Sequence, residues 1–298
     1  MKRQFLALTL GLAISGAALA DNALILQTDF SLKDGAVSAM KGVAFGVDNN
    51  IKLFDLTHEI PPYDIWEAAY RLYQTAPYWP QGSVFVSVVD PGVGTDRTSV
   101  VLKTKSGHYF VTPDNGTLTL VAEALGIDSV RKIDEKTNRL SGSEKSYTFH
   151  GRDVYAYTGA RLASGKISFE QVGPELVAKV TEIPYQKATL EQGELKGNIP
   201  ILDIQYGNVW TNISDELLEK SGINKGDLAC VEIKHADQLR YSGKMPYVSS
   251  FGDVEEGKPL LYLNSLLNVS FALNMENFSE KNQVKSGADW HVAVKKCN

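Results

Sequence analysis

Residues 23–173 alternate short β-type apolar runs with segments of helical periodicity, and this alternation constrains the fold more than any other feature of the chain. Such an order is typical of an α/β domain in which helices flank a mostly parallel sheet. The predicted strands are residues 23–28, 53–56, 84–89 and 109–112, and the predicted helices are residues 35–45, 65–75, 118–125 and 154–163.

The pattern changes in the last third of the chain. Residues 187–198 form a polar stretch rich in Gln, Glu, Lys and Gly, which we interpret as a linker. Short β-type runs separated by Gly- and Asn-containing turns follow it, and they predict a small all-β, barrel-like domain. We therefore predict an α/β N-terminal domain over residues 21–188 and a β-barrel C-terminal domain over residues 189–298. The predicted strands of the second domain are residues 199–204, 227–233, 258–263, 269–273 and 290–294.

The first twenty residues predict a cleavable signal peptide. Lys2 and Arg3 precede an apolar run over residues 5–14, and Ala18-Leu19-Ala20 has the small-x-small pattern of a cleavage site. The apolar run is shorter than the roughly 20 residues that a membrane span needs. We expect a mature chain that begins near residue 21 and is exported, to a bacterial periplasm or beyond it.

The charge of the mature chain argues against two classes of partner. Removal of Lys2 and Arg3 lowers the basic count from 30 to 28 against 35 acidic residues, so the net charge becomes −7. A chain this acidic is a poor match for nucleic acid or for an anionic membrane surface. Cys230 and Cys297 are the only cysteines. In an oxidising compartment they form a disulfide or stay as two thiols, and the spacing does not decide between these.

Polar side chains follow the predicted strands of the first domain. Residue 29 follows the first strand, and the third strand ends on Asp90-Pro91-Gly92, with Arg97 seven residues beyond the aspartate. His150 stands just before a predicted helix. Parallel strands place such ends at one edge of the sheet, where α/β proteins bind ligands. We therefore favour a functional role for Asp90, Arg97 and His150.

Other polar residues at these ends fit two interpretations. Asp34, Asp55 and Asp114 are equally consistent with a site and with ordinary turns and helix caps. A metal site formed by Asp29, Asp90, His58 and His150 is an alternative, but no HxH or HxxxH spacing supports it. We therefore predict that no metal binds.

The second domain contains one candidate ligand-binding segment, residues 203–212. Tyr206, Asn208 and Trp210 alternate there with other residues. Two rings and an amide in this order suit an adenine site, because the rings stack on the base while the amide reads its edge. A hairpin turn at Gly207-Asn208 with cross-strand aromatic residues explains the pattern equally well.

Taken in order, the motifs of the whole chain resemble the S-adenosyl-L-methionine (SAM) hydroxide adenosyltransferase family, the SAM hydrolases, whose relatives include the fluorinating and chlorinating enzymes. Each motif alone is weak, but the ordered set spans nearly the whole mature chain and is specific. The motifs are Thr28-Asp29-Phe30, Asp34-Gly35-Ala36-Val37, His58-Glu59-Ile60-Pro61-Pro62-Tyr63-Asp64, Val89-Asp90-Pro91-Gly92-Val93-Gly94-Thr95, Pro113-Asp114-Asn115-Gly116, Phe149-His150-Gly151-Arg152-Asp153 and Tyr206-Gly207-Asn208-Val209-Trp210-Thr211-Asn212.

The resemblance implies a fold, an assembly and a set of site residues. The fold is an α/β domain followed by a β-barrel, in a homotrimer whose active sites lie between subunits. The implied catalytic triad, which activates water, is Asp90, Arg97 and His150. The implied substrate-binding residues are Asp29 at the ribose hydroxyls, Tyr63 near the substrate, Asp203 and Ser265 at the methionine end, and Asn208, Trp210 and Phe251 at the adenine. We also predict that Asp34 and Tyr206, which belong to the matching motifs, bind substrate.

The implied reaction is hydrolysis of SAM to adenosine and L-methionine, by attack of water or hydroxide at the ribose C5′ and without a cofactor. Two features depart from the family pattern. The segment Asn264-Ser265-Leu266-Leu267 lacks the glycine that follows this serine in the family motif, so we expect an altered methionine end of the pocket. The predicted signal peptide would also export the protein away from the cytoplasm, where SAM is made.

Three alternatives stay open at this point. The first is an exported protein that binds an adenosine-like ligand without turnover. The second is a hydrolase for a related adenosine derivative. A metal-dependent phosphoesterase is disfavoured, because the chain lacks a phosphate-binding Gly-rich loop and a basic cluster. Retention of all three triad positions favours an enzyme over a binding protein.

Overall fold

The computed structural model describes residues 23–297. The predicted signal peptide and the predicted start of the mature chain lie outside the described residues. Within this range the chain forms an α/β half followed by an all-β half, as the alternation predicts. None of the helices among residues 23–297 is long and apolar enough to cross a bilayer.

Seven strands of the N-terminal half form one mixed sheet. Their order across the sheet is β2-β1-β3-β5-β4-β6-β7, and the four strands at the start of this order run parallel. β4, β6 and β7 pair antiparallel at the other edge. The strands are β1 Ala23–Thr28, β2 Lys52–Thr57, β3 Val84–Val88, β4 Ser99–Thr104, β5 Tyr109–Pro113, β6 Ile127–Lys132 and β7 Glu175–Leu176.

Helices cover both faces of this sheet. Alternate residues of β1 point to opposite faces, so Leu24 and Leu26 join one apolar cluster while Ile25 joins another. The first cluster packs against α1 and α4, and the second packs against α2 and α3. This two-sided burial explains why β1 and β3 are mostly apolar and are buried along their whole length. The helices are α1 Ala36–Val47, α2 Ile65–Thr75, α3 Thr119–Leu125 and α4 Tyr157–Ala163, with a π-helix at Gly151–Ala156 and 3₁₀ turns at Ala76–Tyr78 and Glu170–Val172.

The C-terminal half consists of two antiparallel sheets that share one apolar core. One sheet has the order β10-β11-β15-β14 and the other β13-β12-β16-β9-β8. The strands are β8 Thr189–Glu191, β9 Glu194–Ile199, β10 Ile201–Asp203, β11 Asn208–Ser214, β12 Leu228–His235, β13 Gln238–Pro246, β14 Pro259–Leu263, β15 Asn268–Leu273 and β16 Gly287–Lys296, with α5 Asp215–Lys220, α6 Phe278–Asn282 and a 3₁₀ turn at Phe251–Asp253.

Two parts of the sequence interpretation need correction. The stretch 187–198 is not a linker throughout, because it contains β8 and most of β9, and β9 pairs with β16 near the other end of the chain. The α/β half also contains two full strands that were not predicted, β4 and β6. β9 and β6 are rich in polar residues, so their strand structure depends on partners that are distant in sequence.

Cys230 and Cys297 form a disulfide that attaches the residue after β16 to β12, with their Cα atoms 5.2 Å apart. The structure thus selects one of the two states that the spacing left open. The bond closes a loop of 67 residues around the C-terminal core.

The two halves of the chain contact each other through α2 and the segment that joins them. The indole of Trp66 donates a hydrogen bond to the carbonyl of Pro200 at 2.8 Å. Glu123 on α3 accepts hydrogen bonds from Tyr185 and Lys187, both at 2.6 Å. These contacts join α2 and α3 to the start of the C-terminal half.

Candidate active site

Asp90 and Arg97 form the centre of the candidate site. Asp90 follows the end of β3, and the turn over residues 91–96 brings Arg97 back beside it. Nε of Arg97 donates to both carboxylate oxygens, at 2.8 and 3.0 Å, and Nη2 of Arg97 also donates to Oδ2. Their side chains are only 12% and 5% exposed. Such a bidentate, largely buried ion pair fixes the orientation of the guanidinium and of the carboxylate.

His150 extends this pair into a triad. It directly precedes the π-helix, a form of helix that is rare and often found at functional sites. Nη2 of Arg97 lies 2.9 Å from Nδ1 of His150. A guanidinium only donates hydrogen bonds, so Nδ1 must accept and the neutral ring carries its proton on Nε2. Nε2 is buried and has no partner among residues 23–297.

Burial is the main reason that the pKa of His150 is lowered from its ordinary value of 6.5. Glu135 and Asp90 act in the opposite direction, while the positive charges of Arg97 and Arg139 lower it further. For Arg97, burial would lower the pKa, but the hydrogen bond to Asp90 raises it. At neutral pH Arg97 is therefore a guanidinium cation and His150 a neutral imidazole.

Asp90 and His150 face a cavity of about 260 Å³ at the carboxyl ends of β1 and β3. We call it the N-domain cavity. Arg97 does not line this cavity, so it lies behind the two residues that it bonds and acts through them. The lining residues are Asp29, Phe30, Pro62, Tyr63, Val88, Asp90, Val93, Thr148, Phe149, His150 and Gly151.

Asp29 and Tyr63, both predicted site residues, meet at the rim of the N-domain cavity. The backbone N–H of Tyr63 donates to Oδ2 of Asp29 at 2.9 Å. Tyr63 has φ +69°, a left-handed conformation that is unusual for a residue other than glycine, and its side chain is 72% exposed. The loop that carries Tyr63 is thus held to the Asp29 turn, and one oxygen of Asp29 remains for a ligand.

Two residues that the sequence singled out lie outside the cavity. The carboxylate of Asp34 accepts a hydrogen bond from the backbone of Ala36 at 2.8 Å, at the start of α1. His58 is buried, with its ring nitrogens 2.9 Å from the Thr28 hydroxyl and 3.0 Å from Asp55. Of the four residues considered for a metal site, Asp29, Asp90 and His150 line the N-domain cavity and His58 does not, and no group of three or more His, Cys, Asp or Glu that could hold a metal ion occurs in the described chain.

The remaining predicted residues line a second cavity of about 720 Å³ in the C-terminal half, which we call the C-domain cavity. It contains all six of them, together with residues that the sequence did not single out. The lining residues are Asp203, Gln205, Tyr206, Asn208, Trp210, Phe251, Tyr262, Asn264, Ser265, Leu273, Asn274, Met275, Glu276 and Asn277. Most of these extra residues are polar or aromatic, and this residue type is the only signal in the sequence that could have singled them out.

Polar and aromatic groups are arranged around the C-domain cavity in a way that suits a base. The amide of Asn208 donates to Oδ2 of Asp203 at 3.0 Å. The rings of Phe251 and Tyr262 lie 4.9 Å apart, and burial raises the pKa of Tyr262 to about 12. The indole N–H of Trp210 is buried without a partner in the described chain. Gly207 and Asn208 do form the predicted turn between β10 and β11, so the turn and the cavity coexist.

The turn at 264–268 shows what the missing motif glycine changes. Leu267 adopts φ +59° and is 55% exposed. A left-handed conformation costs a residue with a Cβ atom roughly 1–2 kcal/mol, and glycine avoids this cost. Leu267 therefore adopts the left-handed backbone conformation that glycine would favour. Ser265 still lines the C-domain cavity.

The two cavities share no lining residue. Carboxylates occur in both, and the lining residues include no lysine or arginine in either. This charge distribution favours a neutral or cationic ligand over a phosphorylated one. Four carboxylates line the cavities: Asp29, Asp90, Asp203 and Glu276.

Comparison with protein families gives a match for each half of the chain. The model described as the SAM hydroxide adenosyltransferase N-terminal domain matches residues 24–173. The model described as the C-terminal domain of the same family matches residues 197–291. The two matches fall on the α/β half and the all-β half.

Curated relatives cover most of the chain. An (R)-S-adenosyl-L-methionine hydrolase of Methanocaldococcus jannaschii is 36% identical over 86% of this chain and 90% of its own length. One of Salinispora tropica is 35% identical over 83% and 88%. A fluorinase of Actinopolyspora mzabensis is 25% identical over 90% and 96%.

A solved structure supports the fold. The crystal structure of an uncharacterized conserved protein from Thermotoga maritima superposes with a TM-score of 0.84 at 33% sequence identity, covering 91% of this chain and 99% of that one. The arrangement of an α/β half and an all-β half therefore occurs in an experimental structure of a similar sequence.

Proposed function

Because the chain belongs to the SAM hydroxide adenosyltransferase family, we propose that it hydrolyses S-adenosyl-L-methionine to adenosine and L-methionine. The observation that carries the proposal is the Asp90–Arg97–His150 triad, in which Asp90 and His150 line one cavity and Arg97 bonds both. Hydrolase relatives at 33–36% identity support the same activity.

In this reaction a water oxygen attacks the ribose C5′ and the C5′–sulfur bond breaks. The bonding electrons go to sulfur, the sulfonium becomes the neutral thioether of methionine, and the water proton is released. Positive charge at sulfur is lost toward the transition state, so a site with few waters favours that state over the ground state. The apolar lining of the N-domain cavity, with Phe30, Val88 and Phe149, supplies such surroundings.

Two side chains of the triad, His150 and Asp90, contact the attacking water in this proposal. Nε2–H of His150 donates to the oxygen that develops hydroxide character, and the Asp90 carboxylate accepts a hydrogen bond from the same water. Because Arg97 engages Nδ1, His150 acts as a hydrogen-bond donor and not as a base. Asp90 orients the water and takes its proton on the way to solvent. Donors fixed in this way typically contribute about 10²–10³-fold to a rate.

We propose substrate-binding roles that combine the family resemblance with the cavity that each residue lines. We assign the ribose hydroxyls to the free oxygen of Asp29, and the adenine to Asn208, Trp210 and Phe251. Asp203 and Ser265 would hold the amine and carboxylate of the methionine. The lack of basic lining residues in both cavities supports a sulfonium substrate and disfavours nucleotides.

We also propose that the complete site forms between subunits of a homotrimer. Each cavity holds only part of the groups that SAM needs, and each opens to solvent. Exposed apolar side chains border both openings, which is typical of surfaces that become covered. They are Tyr63 and Val93 at the N-domain cavity, and Tyr206, Phe251 and Met275 at the C-domain cavity.

Subunit exchange between two inactive variants tests this assembly. His150→Ala damages only the N-domain cavity, and Asn208→Ala damages only the C-domain cavity. If each site combines two subunits, mixed oligomers contain some sites with both halves intact, and activity returns on mixing. If each site lies within one chain, every site keeps one defective half and the mixture stays inactive. Sedimentation analysis gives the subunit number independently.

We propose that the protein acts outside the cytoplasm. The positive charges of Lys2 and Arg3, the apolar run after them and the Ala18-Leu19-Ala20 pattern support export. The Cys230–Cys297 disulfide suits an oxidising compartment. Fractionation of producing cells, with N-terminal sequencing of the recovered chain, tests this. An uncleaved chain recovered in the cytoplasm would contradict it.

Incubation of the mature protein with SAM tests the activity itself. Adenosine and methionine should appear in equal amounts, and in H₂¹⁸O the label should enter the 5′-hydroxyl of adenosine. Label-free adenosine would rule out direct attack by water. A parallel reaction with chelator tests for dependence on a metal, and one with fluoride or chloride tests for the chemistry of the fluorinase relatives.

The same experiment separates the alternative functions. Tight binding of SAM or adenosine without products would favour an exported nucleoside-binding protein. Turnover of other 5′-substituted adenosines in preference to SAM would favour a hydrolase for a related derivative. His150→Ala serves as the matched control, since it should bind SAM but hydrolyse it slowly.

A further inference from the structure

We propose that Ser99 and Tyr155 are positioning residues that hold the Arg97 guanidinium in the one orientation that serves Asp90 and His150 together. Neither residue lines the N-domain cavity, so both act through Arg97. The catalytic part of the proposal rests on the hydrolase function above, whereas the geometric part does not.

A continuous hydrogen-bond chain connects the two residues to the triad. Nη1 of Arg97 donates to the Ser99 hydroxyl at 2.9 Å, and that hydroxyl lies 3.0 Å from the hydroxyl of Tyr155. Ser99 is 4% exposed and Tyr155 is fully buried. The guanidinium carbon also lies 5.6 Å from the centroid of the Tyr155 ring. The chain therefore runs from the protein core to the reacting groups.

Arg97 needs such an anchor because a guanidinium can pair with a carboxylate in more than one way. It can present either its Nε and Nη2 side or its Nη1 and Nη2 end. In the observed arrangement, which is the first, Nη2 serves Asp90 with one hydrogen and Nδ1 of His150 with the other, and turning the guanidinium would redirect that second hydrogen. The bond from Nη1 to Ser99 selects this arrangement, since turning the guanidinium would break it.

The π-helix carries Tyr155 and begins directly after His150. His150 is bonded to Arg97 itself, and Tyr155, five residues further on, contacts Ser99, which accepts another hydrogen bond from Arg97. The π-helix thus places a second hydrogen-bonding side chain behind the triad.

Tyr155 remains a neutral hydroxyl over the working range of pH. Burial raises its pKa, with Arg97 and the Ser99 hydrogen bond acting in the opposite direction. Its role is therefore to fix the direction of the Ser99 hydroxyl, not to exchange protons. In the described chain, its hydroxyl makes no hydrogen bond other than the one to Ser99.

The test compares Tyr155→Phe, Ser99→Ala and the double variant with wild type. We expect kcat for SAM hydrolysis to fall about 10- to 100-fold with KM within about twofold, because substrate contacts are untouched while the triad is misaligned. The double variant should lose no more than the more damaged single variant, since both act through one route. Tyr70→Phe, which removes another buried tyrosine hydroxyl that lines neither cavity and has no hydrogen-bond partner among residues 23–297, is the matched control and should keep wild-type kcat.

A spectroscopic measurement keeps the proposal separate from the activity. In wild type, ¹⁵N NMR should show His150 with an unprotonated Nδ1 and a protonated Nε2, and the variants should show a mixture of tautomers. The His150 signal is the one among the five histidines that His150→Gln removes. Thermal unfolding confirms that each variant is folded.

The outcomes separate the two proposals. Folded Tyr155→Phe and Ser99→Ala proteins with wild-type kcat and a single Nδ1-unprotonated tautomer would overturn the positioning role. Loss of kcat without a change of tautomer would also overturn it, because the effect would then not pass through Arg97. Wild-type protein that does not hydrolyse SAM would overturn the proposed function, and the NMR result would still decide the positioning role.

Discussion

Nη2 of Arg97 lies 2.9 Å from Nδ1 of His150, and this contact determines which chemistry the histidine performs. A ring whose Nδ1 accepts from an arginine has its proton on Nε2, and His150 lines the N-domain cavity. His150 is therefore suited to stabilise negative charge on an oxygen. It is not suited to remove a proton from water while Arg97 holds Nδ1.

The first prediction concerns the pH dependence of wild-type turnover. Burial lowers the pKa of His150 below its ordinary value of 6.5, and the active ring is neutral. We expect kcat/KM to stay constant from neutral pH down past 6.5 and to fall only as the pH drops through the lowered pKa. Folding stability should start to fall at a higher pH, near 6.5, where the unfolded chain begins to bind this proton, and should level off below the lowered pKa of the folded state. A decline in kcat/KM that begins above pH 6.5 would contradict the assignment.

The second prediction distinguishes a donor from a base at position 150. Glutamine keeps an N–H donor but cannot act as a base, whereas alanine lacks both. His150→Ala should lower kcat about 10²–10³-fold, as expected for loss of a donor to a developing oxyanion. The kcat of His150→Gln should be clearly higher than that of His150→Ala, because glutamine keeps a donor. Steady-state kinetics with SAM provides both values, and equal inactivity of the two variants would point to base catalysis.

The third prediction compares two aspartates of neighbouring motifs. Asp29 lines the N-domain cavity with a free oxygen, while Asp34 lies outside both cavities and bonds the backbone of Ala36. Asp29→Ala should weaken SAM binding by about 1.5–3 kcal/mol, the range for hydrogen bonds to a charged group. Asp34→Ala should change binding little and serves as the control. Calorimetric titration in the His150→Ala background measures both without turnover.

The fourth prediction concerns the aromatic wall of the C-domain cavity. Phe251→Ala should raise the Kd for adenosine by an amount equivalent to about 1–3 kcal/mol, the range observed when a ring that stacks on a base is removed. Phe45→Ala removes a ring that is 58% exposed on α1, outside both cavities, and should leave the Kd unchanged. A similar effect of the two substitutions would show that Phe251 does not contact the base.

The fifth prediction concerns the disulfide. Cys297→Ser should lower the free energy of unfolding by about 2–5 kcal/mol, because the bond closes a loop of 67 residues. Denaturant unfolding measures the change. Reductant should destabilise wild type to about the level of the variant and should not affect the variant. Since Cys230 and Cys297 line neither cavity, kcat at low temperature should be unchanged.

Much of the fold could be predicted from the sequence because its signals are local. The first strand and the helix at Ile65–Thr75 begin and end at the predicted residues, since their burial follows directly from apolar periodicity. β6 and β9 were missed for the converse reason: their polar residues form a strand only when paired with β4 and β16. Partner strands far along the chain leave no local pattern.

The candidate site divides in the same way. Asp90, Arg97 and His150 could be chosen from the sequence, because charged residues at strand ends are unusual and the motif order is specific. Ser99 and Tyr155 could not be chosen, because a serine at a strand start and a tyrosine in an apolar helix are ordinary core residues. The place of Arg97 behind the cavity also follows only from the three-dimensional arrangement.

The sequence by itself therefore determined the α/β-then-β order of the fold, the family and the candidate residues Asp90, Arg97 and His150. The tertiary structure decided which of them share a cavity, which nitrogen of His150 carries the proton, and that Cys230 bonds Cys297. The physical reason is distance along the chain. Periodicity acts over a few residues, whereas the bond between Arg97 and His150 joins positions 53 residues apart and exists only after the sheet and the π-helix have packed together.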